Sequence, residues 1–275
     1  MARPENAMEI FRLLDQSNCR ECGEKTCLAF AGAVFQGRKN LGACPRLDPE
    51  TVRRYDGPPE AANRAEQERE AHLKRLQQSI SELDLAEAAE RTGGRFEKER
   101  LTLPVLGKHF SVDRNGRLSA EIHVNPWVAI PYLNYVLYAD GQAPGGQWLP
   151  FRELKGGKER YPLFEKRCEE AMKQVADTHT DFFDDIVHMF SGKKVPEHYE
   201  SDISVVLQPF PKVPVMICYW KPEDGLESSL HLFFDACTNG NLDIGSTFSL
   251  GAGLAQMFAK LALRHGFSSD GVPLA

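Results

Sequence analysis

A chain of 275 residues with 42% apolar, 26% charged and 9% aromatic content has an ordinary globular composition and room for one large domain or two smaller ones. Its formal net charge of −6 argues against a nucleic-acid binder, which carries a basic stripe and a high pI. No run of about 20 apolar residues is available to insert into a membrane, and the N-terminus lacks the basic-then-apolar pattern of a signal peptide, so the chain is expected in the cytoplasm.

Residues 1–57 read as a small helical module. Pro4 suits a first helical turn, where its missing N–H costs nothing, and Ile10, Phe11, Leu13 and Leu14 follow at helical spacing. Asp15 to Asn18 are turn formers that end this helix and present Cys19. A second helix is expected from near Thr26 through Leu28, Phe30, Ala31, Val34 and Phe35, stopped by Gly37. The predicted shape is a helical hairpin with a cysteine loop between its helices.

Four of the seven cysteines lie in this module, as Cys19, Cys22, Cys27 and Cys44, spaced C-x2-C-x4-C-x16-C. In an unexported chain, clustered thiols point to metal or redox chemistry rather than structural disulfides. A [4Fe–4S] cube needs one thiolate per iron, arriving from four directions. Three cysteines within nine residues can wrap three corners, and a fourth returns from beyond the next helix. Zinc is the main alternative, but four-cysteine zinc sites usually come as two C-x2-C knuckles, and only Cys19/Cys22 forms one. The module holds nine Lys/Arg against eight Asp/Glu, while the rest of the chain holds 24 against 31. Its cations would partly offset an anionic cluster.

The stretch Asn18-Cys19-Arg-Glu-Cys22-Gly23-Glu-Lys-Thr26-Cys27-Leu-Ala29-Phe30-Ala31, with Cys44-Pro45, resembles the Fe–S cluster domain found in the B subunit of Rnf-type electron-transport complexes and in the large subunit of the corrinoid iron–sulfur protein. The resemblance covers about 40 residues. It implies that all four cysteines ligate one [4Fe–4S] cluster and that the protein is a low-potential electron carrier in anaerobic metabolism.

Gly57-Pro58-Pro59 closes the module, since paired prolines resist helix. Residues 58–94 form a charged connector, rich in strong helix formers from Glu60 to Arg91. Leu73, Leu76, Ile80 and Leu83 give it one apolar face, suited to packing against the C-terminal body. Thr92-Gly93-Gly94 ends it.

Residues 95–275 read as an α+β domain with an antiparallel-rich sheet. Leu101–Val112 and Arg117–Val124 are expected as two strands around an Asn115-Gly116 turn. Pro126–Tyr138 is helical, kinked or broken at Pro131. A Gly/Pro-rich loop follows, then helices over Tyr161–Asp177 and Asp181–Phe190. Strands are expected at Ile203–Leu207, Val213–Trp220 and Leu230–Ala236, and a final helix at Thr247–His265. Leu103-Pro-Val-Leu-Gly107, Pro131-Tyr-Leu-Asn-Tyr135, Trp148-Leu-Pro-Phe-Arg-Glu-Leu154 with Gly156-Gly157, and Leu232-Phe-Phe-Asp235 resemble a domain family of unassigned function found fused behind the same cysteine motif. That resemblance implies domain limits and no chemistry.

Within the body, the loop over 145–157 combines glycines, Trp148 and the pair Arg152/Glu153, and loops of such length often carry function. Arg152 either holds an anionic ligand or pairs with Glu153 to pin the loop. His231, on the predicted strand with Phe233 and Asp235, is either structural or an axial ligand to a corrinoid or haem. The other histidines of the body (109, 123, 179, 188, 198 and 265) make no H-E-x-x-H pattern. Cys168, Cys218 and Cys237 share no ligand spacing and read as buried small hydrophobes, although Cys237 could be exposed. No phosphate-binding Gly motif or Gly-x-Ser-x-Gly elbow is present. Gly251-Ala-Gly253 fits close helix packing.

Together these features predict a cytoplasmic [4Fe–4S] protein working with a redox partner protein, with no nucleic acid and no membrane insertion. Two alternatives stand: a redox enzyme with a ligand site in the body wired to the cluster, and a cluster-based sensor or structural protein.

Overall fold

The structure, a computed structural model, describes residues 6–36, 38–55, 60–121, 124–178, 182–196, 199–223 and 225–264. Pro4, Gly37, the Gly57-Pro58-Pro59 stop, His123, His179, His198 and His265 lie outside them. The chain divides into two compact units, residues 1–71 and 72–275.

In the first unit, α1 (Ala7–Leu13) starts at Asn6, whose side chain accepts from the Glu9 N–H at 3.0 Å. The loop after it leads to α2 (Cys27–Phe35), capped by Thr26, whose hydroxyl accepts from the Ala29 N–H. Two elements go beyond the expected hairpin: a 3₁₀ turn at Leu41–Ala43 and α3 (Pro49–Tyr55). Asp48 caps α3 by accepting from the N–H groups of Glu50 and Thr51, an N-terminal signal followed directly by Pro49. Ile10, Leu14, Phe30, Ala31, Leu41 and Leu47 form the core, together with Cys27 and Cys44.

The unit boundary falls within α4 (Glu60–Ile80). The expected single connector helix is two helices. Asp84 accepts from the N–H groups of Ala86 and Glu87 and starts α5 (Leu85–Thr92). Gly93, at φ 77°, ends it. The apolar face does pack on the body: Leu76, Ile80, Leu85, Ala88 and Ala89 share a core with Leu101, Leu103, Phe110 and Val112.

The C-terminal unit is α+β, with two antiparallel sheets. The first has the order β1 (Arg95–Glu97), β2 (Arg100–Val105), β3 (Lys108–Asp113), β4 (Leu118–Ala120). The stretch Leu101–Val112 is therefore a hairpin, not one strand. Leu106 and Gly107 both take positive φ, 49° and 76°, and reverse the chain. The Asn115-Gly116 turn forms as expected, with Asp113 accepting from the N–H groups of Asn115 and Arg117. Helix α6 (Pro126–Tyr138) runs unbroken through Pro131. Its buried face is held by Tyr132, whose hydroxyl lies 3.2 and 3.1 Å from the Leu101 and Phe110 carbonyls, and by Tyr135, which donates to the Thr92 carbonyl.

The second sheet has the order β5–β9–β8–β7–β6. Its members are β5 (Trp148–Pro150), β6 (Lys193–Lys194), β7 (Ile203–Phe210), β8 (Val213–Trp220) and β9 (Ser229–Asp235). One face packs on α7 (Tyr161–Phe164), α8 (Glu170–Thr178), α9 (Phe182–Met189) and α11 (Ile244–Arg264), α10 being the short turn Thr238–Asn241. A π-helical turn, Glu165–Glu169, joins α7 to α8 where one regular helix was expected. Stacked Phe151 and Phe164, 3.9 Å apart at 4°, centre this core. Side chains at Gly251 and Gly253 would collide with Phe164 and Trp127, so close packing does account for that glycine pair. Val205, Leu207, Val215 and Ile217 face this core, while Val206, Met216 and Cys218 face away from it.

Candidate metal centre

All four module cysteines are free thiols. Cys27 and Cys44 are buried, and Cys19 and Cys22 are half-buried. Cys22, Cys27 and Cys44 belong to one apolar cluster with Ile10, Leu14 and Phe30. Cys27 opens α2. The Asn18 N–H donates to Cys27 Sγ at 3.3 Å, and the Asn18 side-chain oxygen accepts from the Cys27 N–H at 2.7 Å. This reciprocal pair fixes the loop entrance on the helix N-terminus and places an amide on sulfur, one of a protein's means of tuning a cluster.

The loop between α1 and α2 is conformationally unusual. Gln16, Asn18 and Arg20 take φ of 56°, 53° and 65°, and Gly23 takes 79°. Non-glycine residues hold such angles at a cost of about 1–3 kcal/mol each, and only where the surroundings demand it. The loop is also clamped ionically. Arg46, two residues after Cys44, pairs with Glu21 at 2.7 Å and Asp15 at 3.4 Å, and Lys39 pairs with Glu24 at 3.2 Å while donating to the Cys22 carbonyl. The carboxyls of Glu21 and Asp15 are lowered, Glu21 chiefly by its bond to Arg46 and Asp15 chiefly by the Ser17 N–H. The loop acids thus stay ionised and satisfied.

This donor set fits an iron–sulfur cluster. It offers four reduced thiols, three within one apolar core, beside an amide donor to sulfur and cations that offset thiolate charge. Among the described residues no three His, Cys, Asp or Glu side chains converge on a single ion.

The other candidate residues are dispersed over the body. Arg152 makes no ion pair with Glu153; both are exposed, and the Arg152 guanidinium lies 5.5 Å from the Tyr161 ring centroid. The expected loop-pinning ion pair is thus replaced by a cation–π contact. Two buried side chains hold the loop instead. Asp235 accepts from the N–H groups of Gly145 and Gly146 at 3.2 and 2.6 Å, and Asn241 from those of Gly141 and Gln142. Trp148 sits on the outer face of the second sheet with Phe233 and Trp220. His231 occupies the same face, its Nδ1 3.3 Å from a carboxylate oxygen of the buried Glu169. Glu169 also accepts from the Leu232 N–H at 2.9 Å and the Tyr161 hydroxyl at 3.0 Å. Arg152 and His231 are therefore linked through Tyr161 and Glu169, whereas Glu153 stands apart. Cys168, Cys218 and Cys237 are buried, and burial pushes all three thiols up, Cys237 to about 12. The exposed alternative for Cys237 does not hold, because it packs beneath the Lys212 carbonyl, to which its Sγ donates at 3.4 Å.

Comparison with known proteins assigns the two parts separately. Residues 84–257 match the family described as "Domain of unknown function (DUF3786)". The chain belongs to that family. Ahead of its DUF3786 domain it carries an iron–sulfur cluster domain, residues 14–46 matching the family described as "Putative Fe-S cluster". The corrinoid/iron-sulfur protein large subunit of Moorella thermoacetica is 45% identical over 42 residues, 15% of this chain and 9% of that protein. Acetyl-CoA decarbonylase/synthase complex subunit gamma is 35% identical over 48 residues in Methanocaldococcus jannaschii (18% of this chain, 10% of the relative) and 42% over 41 residues in Methanothermobacter thermautotrophicus (15% and 9%). The chain thus spans about a tenth of the length of these relatives. No solved structure matches. Among the described residues, no helix is long and apolar enough to cross a membrane.

Glu169 and Tyr161 of the DUF3786 domain were not legible as partners of His231. In a regular helix Glu169 lies about 100° from Cys168 on the buried stripe of Phe164, Cys168 and Met172. The π-helical turn shifts that phase and brings Glu169 inward, to 2% exposure.

Proposed function

We propose that Cys19, Cys22, Cys27 and Cys44 bind one [4Fe–4S] cluster, and that the protein exchanges single electrons with a redox partner protein in anaerobic one-carbon metabolism in the cytoplasm. The observation that carries this reading is the cysteine set itself: four free thiols over 26 residues, three in a shared apolar core, with the Asn18 amide on Cys27. A bound cluster supplies one-electron oxidation and reduction. The surrounding residues hold and shield it: Asn18 and Thr26 fix the start of α2, Lys39 anchors the Cys22 carbonyl, and Arg46 sets positive charge beside Cys19. The one-carbon assignment draws on the named relatives of the module. In this reading residues 1–57 are the electron-carrying module, 58–94 the connector and 95–275 the partner-facing or ligand-binding domain. Anaerobic reconstitution should give about four irons per chain and a broad visible band that bleaches with dithionite. Zinc retained in place of iron would overturn the proposal.

A second reading, a redox enzyme whose ligand sits in the DUF3786 domain, is favoured by Arg152 and His231. Among the described residues the Arg152 guanidinium has no acidic partner, and His231, 37% exposed at its side chain, is oriented by Glu169. Ligand-induced shifts at both residues in the cluster-loaded protein would support that reading; shifts at neither would reject it.

A further inference from the structure

The outer face of the first sheet carries a groove of about 690 Å³, lined by Gly93, Gly94, Arg95, Glu97, Thr102, Pro104, His109 and Ser111. Its size suits a small metabolite. The inner face of the same sheet is apolar core, so alternation puts Arg95, Glu97, Thr102, Pro104, His109 and Ser111 on the groove side. Register aligns them: Arg95 opposes Thr102, which opposes Ser111, giving a guanidinium and two hydroxyls in one row across three strands. Thr102 Oγ1 and Ser111 Oγ lie 2.8 Å apart, so one hydroxyl hydrogen serves that bond and the other is free to donate outward.

The next row sets His109 opposite Pro104. Glu121 holds His109 twice, accepting its backbone N–H at 2.8 Å and approaching Nδ1 at 3.4 Å, which leaves Nε2 without a protein partner among the described residues. Glycines form one wall for a steric reason. A side chain at Gly94 would collide with Leu103 and the Thr102 carbonyl, 2.7 and 2.9 Å from its Cβ. Glycine at this position lets the chain pass tight against β2. Arg95 has no acidic partner among the described residues, and the lining acid Glu97 stands opposite Arg100 in register.

We propose that this groove binds a small polar molecule through an oxyanion, carboxylate or phosphate, with Arg95 as its charge partner and Thr102, Ser111 and His109 as hydrogen-bonding groups. Guanidinium forks match both oxyanions, and the row of Arg95, Thr102 and Ser111 gives a polar ligand its partners. The groove lies wholly within the C-terminal unit. Inorganic phosphate and acetate are titrated separately into the cluster-loaded full chain, followed by ¹⁵N–¹H NMR including the arginine side-chain region. Saturable shifts at residues 93–111 are expected with at least one probe, phosphate alone or acetate alone naming the oxyanion. In Arg95→Gln the affinity should fall about tenfold or more, the loss of one charged hydrogen-bonding partner. Ser111→Ala, which removes only a hydroxyl, should weaken binding less and keeps the test open should Arg95→Gln disturb β1. No saturable shift, shifts centred outside the groove, or affinity unchanged in both variants would overturn the proposal.

Discussion

Among the described residues, eight buried side chains make the core of the N-terminal unit, two of them cysteines, whereas the two largest clusters of the C-terminal unit hold 22 and 20. A segment with so small a core resembles the small domains that need a metal or disulfide staple to fold. Its loop also holds three non-glycine residues at positive φ. The C-terminal unit needs no such aid, since stacked phenylalanines, tyrosine anchors and buried carboxylates with full hydrogen bonding hold it. The contrast teaches that the body's order rests on packing, while the module's rests on a small core and an ionically clamped loop.

The chain supplies a separate probe for each part. All three tryptophans, Trp127, Trp148 and Trp220, lie in the C-terminal unit, so tryptophan fluorescence follows the body and visible absorbance follows the cluster. The largest effect is expected for Cys27→Ser, which should abolish cluster absorbance and leave the fluorescence unfolding transition unmoved; a matching loss of both signals would break the contrast. Next comes Phe164→Ala in the stacked core, expected to cost the body about 3–5 kcal/mol in denaturant unfolding with an unchanged visible spectrum.

Asp235→Asn is expected to be smaller, about 1–3 kcal/mol at neutral pH, because the amide keeps one acceptor oxygen and turns the other into an NH2 donor. The N–H groups of Gly145, Gly146 and Cys237, which share both carboxylate oxygens, are then no longer all satisfied. Burial raises the Asp235 pKa, and the N–H donors from Cys237, Gly145 and Gly146 outweigh that and lower it overall. The stabilisation is therefore present above the unfolded-state value of about 3.9 and lost as pH falls through the folded-state value. Unfolding free energies of the wild type and Asp235→Asn should converge in acid; a constant difference would exclude the linkage. The smallest effect is expected for Arg46→Gln. Removing a cation beside Cys19 should move the cluster midpoint potential to more negative values, a shift that shrinks with added salt and is read by redox titration.

Much of the architecture was legible because its signals are local. The C-x2-C-x4-C-x16-C spacing, the Thr26 start of α2, the Asn115-Gly116 turn and the continuous apolar run of β8 each depend on neighbours a few residues away. The misreadings share one cause, competition between equal local signals. Leu101–Val112 carries strand propensity throughout, and only the Leu106-Gly107 reversal divides it. Glu60–Arg91 carries helix propensity throughout, and the Asp84 cap divides it. Pro131 lacks one helical hydrogen bond, yet Tyr132 and Tyr135 of the same helix reach strand and loop carbonyls and hold it in place.

The sequence by itself marked the four cysteines on which the proposed chemistry of the module rests, since their spacing is set by the chain's own connectivity. It also determined that the body is α+β, through the periodicity of its apolar residues. Only the tertiary structure decided which body residues meet. Arg152 lies over Tyr161, Glu169 turns inward through a π-helical turn to reach His231, and Arg95, Thr102 and Ser111 form one row across three strands. These contacts depend on register and helix phase, where one residue more or less turns a side chain to another face, and no local pattern encodes them.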